Sequence, residues 1–190
     1  LIQNKKYLFF SHTSKIQPDN YATAQGTPEV DKKKLLKNIL KKKITLIDYE
    51  NIRDKNSARY LGFGRFAGIV GCYNSLSLYE QFTNNINLPR AYELKEYSLV
   101  KEILKNIKFS PIKVLITGDG RVAKGVLELL KCTNFMQVSK NDFINKNFNE
   151  PIFCNLETKD YVSEINKITF RLEDFIKNPS NYISIAEKYL

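Results

Sequence analysis

The spacing of apolar residues changes along the chain, and it predicts strands and helices in alternation. Short apolar runs are typical of buried strands, and apolar residues three or four positions apart are typical of helices with one buried face. In the second half these patterns predict strands at 112–117, 135–138 and 152–155 and helices at 121–131, 170–177 and 182–189. This alternation favours a parallel sheet covered by helices, which is the α/β fold class.

The first half of the chain, to about residue 105, carries a similar alternation. Apolar runs predict strands at 7–10 and 44–47, with a polar loop at 11–30 and a lysine-rich helix between them. Two further helices are predicted at 66–82 and 97–107. Gly68 and Gly71, within the first of these helices, lower its helix propensity, so they indicate either close packing or a hinge.

A glycine turn lies between the predicted strand at 112–117 and the helix that follows it. Gly118, Gly120 and Ala123 form the pattern G-x-G-x-x-A, which in a strand–turn–helix unit lets the backbone contact a dinucleotide pyrophosphate. The helix amino terminus adds N–H groups and a partial positive charge for the anion. A second match at 62–67 follows only a short, charge-broken run. The sequence therefore favours Gly118 as the nucleotide turn over a chance match.

The formal net charge is +10, which suits negatively charged partners. Lysines at 32–34 and 41–43 are the best support for nucleic acid, but the helical apolar spacing around them favours the solvated face of an ordinary helix. The basic–aromatic pattern of an RNA-binding sheet is absent. We therefore expect no nucleic acid, and a positive field equally attracts anionic substrates and phosphates.

Cysteine usage and hydropathy exclude several classes of protein. Cys72, Cys132 and Cys154 lack C-x-x-C spacing, which favours a reducing, cytoplasmic setting over a zinc site or a disulfide framework. No apolar run reaches the roughly 18 residues that span a bilayer, so we expect no membrane. The cysteine spacing leads us to expect no metal either. The chain starts without Met or a signal-peptide pattern, which predicts a piece of a longer protein.

Ionisable residues follow both predicted strands of the first half. His12 is the single histidine, and an imidazole at a strand end suits proton transfer, although a lone histidine is more often structural or exposed. Asp48 and Glu50 follow the second strand, where they could bind a cation or orient a basic partner. They could equally be a turn-forming Asp and an exposed Glu. Arg59 has the planar fork that suits a substrate carboxylate.

Four motifs, in order, resemble those of the saccharopine dehydrogenase and lysine–2-oxoglutarate reductase family: FFSHTSKIQ, LIDYE, ARYLGFGRFAGIVG and ITGDGRVAKG. The resemblance covers about Leu8 to Asp160. It implies the fold shared with alanine dehydrogenase, in which two Rossmann-like parallel-sheet domains surround a cleft, both incomplete in this chain. Residues 1–105 would be part of the N-terminal catalytic domain with a connecting helix, and residues 106–190 part of the NAD(P)-binding domain.

The resemblance also implies a role for each matching position. His12 would be the catalytic acid/base, and the substrate would be bound by Lys15, Glu50, Arg59 and Phe63. The cofactor-binding positions would be Gly118, Gly120, Arg121, Val122, Ala123 and Ser139. The chain departs from the family pattern in three ways. The second catalytic residue of the family, a lysine, would lie upstream of Leu1, the segment 22–31 looks inserted, and the family continues past Leu190.

The implied activity is NAD(P)-dependent hydride transfer that interconverts saccharopine with lysine and 2-oxoglutarate. An alanine dehydrogenase-type enzyme and a non-catalytic nucleotide-binding fragment are the alternatives, and this piece need not be active alone. Lys140, just past the second strand of the cofactor half, could accept a 2′-phosphate, and no acid stands at the tip of that strand. These residues favour NADP slightly over NAD. The expected partners are amino-acid and keto-acid substrates. The sequence does not decide whether the protein forms a homodimer.

Overall fold

The chain is a mixed α/β protein with parallel-strand sheets, which confirms the predicted fold class. The computed structural model describes residues 1–16, 28–83, 86–165 and 170–190. They divide into two compact units, Leu1–Gly62 and Phe63–Leu190. The boundary predicted near residue 105 divides the chain by expected role, whereas the compact units divide it after Gly62. That functional division, with the cleft between its domains, stays a prediction.

The first unit contains a two-stranded parallel sheet. Strand β1 (Lys6–Phe9) pairs with β2 (Thr45–Asp48), and helix α1 (Pro28–Lys41) lies in the connection between them. Parallel neighbours require such a crossover, and they bring their carboxyl ends to the same edge of the sheet. Phe9 therefore lies opposite Asp48 in the register, and the residues that follow each strand emerge side by side.

Helix α1 fits the predicted amphipathic segment. Ile39 is buried, whereas Lys34, Lys37 and Lys41 are exposed, as expected for a solvated lysine face. The predicted insertion at 22–31 falls largely on residues 17–27, which lie outside the described residues, and its last positions belong to α1.

The second unit is built on a three-stranded parallel sheet whose strands occur where the apolar runs predict them. The strands are β3 (Lys113–Thr117), β4 (Met136–Gln137) and β5 (Ile152–Leu156). Their spatial order is β3-β5-β4, so the last strand in sequence occupies the centre. In the common dinucleotide-binding order, the strand before the glycine turn neighbours the next strand in sequence. Here β5 separates the two.

The second unit also contains helices and a separate two-stranded sheet. The helices are α2 (Gly64–Thr83), α3 (Tyr97–Lys105), α4 (Arg121–Leu130), α5 (Lys140–Asn145), α6 (Thr158–Tyr161) and α7 (Leu172–Lys177). The further strands are β6 (Val162–Glu164) and β7 (Tyr182–Ser184), which pair antiparallel. No helix among the described residues is both long and apolar enough to cross a bilayer.

The core of the second unit lies on both faces of β5. Phe153 packs into a cluster with residues of α2, α3 and α4, and the neighbouring Ile152 and Cys154 pack against Phe143 of α5. Because successive strand residues point to opposite faces, a strand buried at both Ile152 and Phe153 must be covered on both sides. This explains why the run at 152–154 is continuously apolar.

The helix predicted at 182–189 is wrong. Its first part is strand β7, in which Tyr182 is buried and Ile183 is exposed, and its second part is a short 3₁₀ helix at Ala186–Tyr189. The Tyr182 ring packs edge-on against the rings of Phe170 and Phe175, with centroids 5.8 and 5.2 Å away. Tertiary packing and a ladder to β6 thus override the local helical spacing.

Helices α2 and α4 approach each other through glycines. A Cβ built on Gly68 would lie 2.0 Å from the carbonyl oxygen of Val122, and one on Gly125 would lie 2.0 Å from the carbonyl oxygen of Arg65. Only the missing side chains allow this backbone contact. A Cβ on Gly71 would meet nothing within 4 Å. Of the two roles predicted for these glycines, close packing therefore holds at Gly68.

Candidate functional site

A histidine–carboxylate pair lies at the carboxyl edge of the first sheet. His12 Nδ1 is 3.0 Å from Glu50 Oε2. The Glu50 side chain is 4% exposed, whereas that of His12 is 48% exposed. Because a carboxylate only accepts hydrogen bonds, the imidazole donates from Nδ1, and Nε2 is the basic nitrogen of the neutral ring. The predicted alternative of an exposed Glu50 is therefore wrong.

Arg59 reaches the same buried carboxylate from the other side. Its Nη1 is 3.4 Å from Glu50 Oε1, so imidazole and guanidinium each face one oxygen of Glu50. A short turn positions Arg59, since Arg53 and Arg59 form an antiparallel bridge and Asp54 Oδ1 accepts from the Ala58 N–H at 2.8 Å. A buried carboxylate needs such compensation, and Arg59 supplies it together with His12.

Two further substrate residues were predicted, Lys15 and Phe63. The Lys15 side chain lies outside the described part of the chain, although its backbone belongs to a 3₁₀ turn at Thr13–Lys15. Phe63 is the first residue of the second unit, and 66% of it is exposed. The roles of these two residues stay predictions.

Ser11 and Asp48 are buried beside the pair. Asp48 was considered from the sequence as a residue that could bind a cation or orient a basic partner, and Ser11 was not. The Ser11 hydroxyl donates to Asp48 Oδ2, and the Glu50 N–H donates to Asp48 Oδ1 at 2.9 Å. Burial by itself would raise the pKa of Asp48, but these hydrogen bonds, with the Ser11 N–H and the nearby His12, outweigh it and hold the pKa below its ordinary value. The carboxylate is thus the stable form.

Acid is expected to destabilise the first unit through Asp48. Its folded pKa lies below the ordinary value of 3.8, so its contribution is fully present above that value and is lost as the pH falls through the folded pKa. Asp48→Asn should be less stable at neutral pH and should show a flatter dependence of unfolding free energy on pH between about 2 and 5. Urea unfolding across that range measures this, and identical slopes in both proteins would contradict it.

The glycine turn of the second unit has the backbone that its sequence predicts. Gly118 has φ +90°, a left-handed conformation that favours glycine. Its N–H donates to the Leu156 carbonyl at 2.8 Å, and the Asn155 amide donates to the Gly118 carbonyl at 2.8 Å. Asn155, which the motif does not include, therefore fixes the turn from the central strand.

The start of α4 leaves room for an anion. A Cβ on Gly120 would meet nothing within 4 Å, so the space above this residue is open. Arg121 and Val122 are exposed in the first turn of α4, and Ala123 is buried in the core. These residues fit the pyrophosphate of a dinucleotide, because free N–H groups at a helix start bind anions and Gly120 offers no side chain to obstruct them.

Ser139 lies apart from this turn. It follows β4, which β5 separates from β3, and its hydroxyl caps α5 by accepting from the Asp142 N–H at 3.0 Å. Lys140 Nζ is 2.5 Å from Asp160 Oδ2, so its charge is already paired. The residues at the end of β4 therefore have structural partners, and the strand order does not place them beside the glycine turn.

Glu157, an acidic residue that the sequence reasoning missed, lies nearer to the glycine turn than the end of β4 does. Leu156 pairs with Thr117 in the register, and Glu157 follows it at the tip of β5, the strand adjacent to the glycine turn. Glu157 and Asp119 line a cavity of about 230 Å³ together with Thr158, Lys159, Phe170 and Leu172. Glu157 could be identified only from the strand order, because the sequence reasoning looked for an acidic residue at the tip of β4.

The described residues contain no cluster of metal ligands, and the Cys72 thiol is buried. Within residues 1–16, 28–83, 86–165 and 170–190, no group of three His, Cys, Asp or Glu side chains could hold a metal ion. All three cysteines, each in the described ranges, are free thiols. Burial raises the pKa of Cys72 to about 12, so this thiol is unsuited to act as a nucleophile.

Comparison with known proteins identifies distant relatives. No protein-family model matches the chain. It is 29% identical over 147 residues to alpha-aminoadipic semialdehyde synthase, mitochondrial, of Rattus norvegicus, a match that covers 68% of this chain and 15% of the rat protein. The Arabidopsis thaliana alpha-aminoadipic semialdehyde synthase is 24% identical over 216 residues, covering 96% of this chain and 19% of the plant protein.

The chain thus spans less than a fifth of the length of the curated relatives it matches. The similarity to these relatives agrees with the resemblance that the four ordered motifs carry. The chain is therefore a distant homologue of the alpha-aminoadipic semialdehyde synthases, and its resemblance to the saccharopine dehydrogenase and lysine–2-oxoglutarate reductase family is confirmed at that level.

Proposed function

We propose that this chain is part of an NAD(P)-dependent oxidoreductase of lysine metabolism that interconverts saccharopine with lysine and 2-oxoglutarate. The observation that carries the proposal is the buried Glu50 carboxylate, held between the His12 imidazole and the Arg59 guanidinium. It unites a proton-transfer group with a cation for a substrate carboxylate, and three of the predicted substrate-side residues meet there. The homology to semialdehyde synthases supports the same reaction class.

In the reductive direction, the amine of lysine condenses with the keto carbon of 2-oxoglutarate, and one water leaves as the imine forms. Proton transfers at the amine and at the departing oxygen are the task of His12 through Nε2, while Glu50 holds Nδ1 and stabilises the imidazolium formed in each transfer. Arg59 binds a substrate carboxylate through its planar fork. When bound, the nicotinamide supplies the hydride that reduces the imine.

The cofactor is proposed at the level of a nicotinamide dinucleotide. Gly118 and Gly120 would hold its pyrophosphate, with the amino terminus of α4 behind them. The preference for NADP rested on Lys140, and the ion pair of Lys140 with Asp160 weakens that argument, because a 2′-phosphate would have to compete with a carboxylate at 2.5 Å.

We propose amino-acid and keto-acid substrates as the partners. A cytoplasmic location is proposed from cysteine usage alone, and the rat relative is named as mitochondrial.

Two measurements test the proposal. Titration of the protein with NADH and with NADPH, followed by nicotinamide fluorescence, should show binding of at least one of them. Lysine with 2-oxoglutarate is then compared with pyruvate and ammonia as substrates, with His12→Ala beside the unaltered protein. We expect consumption of reduced cofactor with the first pair, lowered at least about 100-fold in His12→Ala at unchanged cofactor affinity.

The outcomes separate the alternatives. Preference for pyruvate and ammonia would indicate an alanine dehydrogenase-type enzyme. Cofactor binding without turnover of either pair would indicate a nucleotide-binding fragment. Binding of neither NADH nor NADPH would overturn the proposal, and so would full turnover by His12→Ala, because His12 could then have no part in proton transfer.

A further inference from the structure

We propose that Ser11 and Asp48 are the positioning residues of the histidine site: a buried hydroxyl–carboxylate pair that sets the orientation of the His12 imidazole on Glu50. Its meaning for catalysis rests on the proposed function. Its geometry lies wholly within the first unit and can be tested without any reaction.

The pair joins the carboxyl ends of the two strands. Phe9 of β1 lies opposite Asp48 of β2 in the register. The Ser11 hydroxyl, two residues beyond Phe9, donates to Asp48 Oδ2. Ser11 is 4% and Asp48 is 8% exposed, so water competes little for this hydrogen bond. A charge-assisted bond in such a place is among the stronger polar contacts that a protein makes.

Ser11 also controls the backbone on which the imidazole stands. His12 has φ 54° and ψ 16°, which is left-handed, a conformation that is strained for a residue with a side chain. The residues on either side of His12 are bound to each other, since Ser11 Oγ accepts from the Thr13 N–H at 3.2 Å and lies 2.8 Å from Thr13 Oγ1. This link offsets the strain and holds the turn.

Asp48 acts on the other member of the pair. Its second oxygen, Oδ1, accepts from the Glu50 N–H at 2.9 Å, at the start of the 3₁₀ turn at Tyr49–Asn51. One carboxylate therefore fixes the backbone before His12 through Ser11 and the backbone of Glu50 directly. The contact between His12 Nδ1 and Glu50 Oε2 depends on both. Loss of either anchor leaves the imidazole free to turn away from the carboxylate.

The tautomer of His12 reports this orientation. While Nδ1 donates to Glu50, the neutral ring carries its proton on Nδ1. A ring released into water populates the other tautomer as well. Because His12 is the single histidine of the chain, its imidazole signals are identified without assignment. Long-range ¹H–¹⁵N correlation spectra of the 190-residue protein, at a pH where the ring is neutral, give the ratio of the two tautomers directly.

The experiment compares the unaltered protein with Ser11→Ala and Asp48→Asn. The control is Tyr7→Phe, which removes a hydrogen bond of β1 away from the site, the one that Tyr7 Oη accepts from the Ile2 N–H at 2.7 Å. Glu50→Gln serves as the reference for a lost carboxylate. We expect a predominant Nδ1–H tautomer in the unaltered protein and in Tyr7→Phe. In Ser11→Ala and Asp48→Asn the ratio of Nε2–H to Nδ1–H should rise about fivefold, as the loss of one typical hydrogen bond predicts.

A purely structural role would lower stability and leave the tautomer of the folded protein unchanged. Unaltered tautomer ratios in both folded variants would therefore overturn the proposal, as would an equal change in Tyr7→Phe. Ser11→Ala removes a single oxygen, so it keeps the test decisive if Asp48→Asn fails to fold. NADH and NADPH binding by the unaltered protein is measured separately. Its absence would count against the proposed function and leave the positioning role standing.

Discussion

Gly68→Ala is expected to destabilise the second unit by about 3 kcal/mol or more, the upper part of the range for an overpacked interior. The new Cβ would lie 2.0 Å from the Val122 carbonyl oxygen. The obstructing atom belongs to a backbone, so no side-chain rotation relieves the clash. Helices α2 and α4 must move apart, and the core cluster between them loses its packing.

Gly71→Ala is the matched control, one turn further along the same helix. A Cβ there meets nothing within 4 Å, so only helix propensity changes, and we expect a gain in stability of about 0.5–1 kcal/mol. Urea unfolding followed by far-ultraviolet circular dichroism measures both variants. Gly125→Ala should behave like Gly68→Ala, since its Cβ would meet the Arg65 carbonyl oxygen at 2.0 Å. Equal effects at positions 68 and 71 would refute the backbone contact.

Gly120→Val is expected to weaken NADH or NADPH binding at least about 100-fold, a loss of about 2.7 kcal/mol. The substitution fills the open space in front of the α4 amino terminus, where the proposed pyrophosphate meets backbone N–H groups. Gly120 has φ −75° and ψ −172°, an extended conformation that valine adopts readily. Stability should therefore change little, by about 1 kcal/mol or less.

Fluorescence titration with each reduced nucleotide measures this effect, and thermal unfolding shows that the variant is folded. Gly71→Ala again serves as the control, because it alters a glycine of the second unit away from the turn and should bind as the unaltered protein does. A Gly120→Val protein that binds with undiminished affinity would place the nucleotide elsewhere, and the G-x-G-x-x-A match would then be a chance strand–helix turn.

Local pattern predicted the elements of this fold well where local physics decides them. The strand at 112–117, the glycine turn and the helix at 121–131 are all present, because an apolar run, a left-handed glycine and an amphipathic stripe are each encoded within a few residues. The segment 182–189 failed for the opposite reason. Its ladder partner, Val162–Glu164, lies about twenty residues earlier, and no pattern within the segment reveals it.

Some features of the candidate site follow from local sequence, and others depend on how the strands pair. His12 and Glu50 could be expected near each other, since each follows a parallel strand. That Glu50 would be buried, and that Ser11 and Asp48 would support it, depends on the register of Phe9 with Asp48, which the sequence does not state. The sheet order is a longer-range property still. It separates Ser139 from the glycine turn and places Glu157 at the tip of the adjacent strand.

The backbone contact between α2 and α4 constrains how this protein can diverge. Any side chain larger than hydrogen at position 68 or 125 forces the two helices to separate, and the first turn of α4 then moves with respect to the sheet that supports it. Substitutions at these two positions should therefore be rare and should occur together with compensating changes. In a newly found relative, the residues aligned with Gly68 and Gly125 would indicate whether its glycine turn keeps this placement.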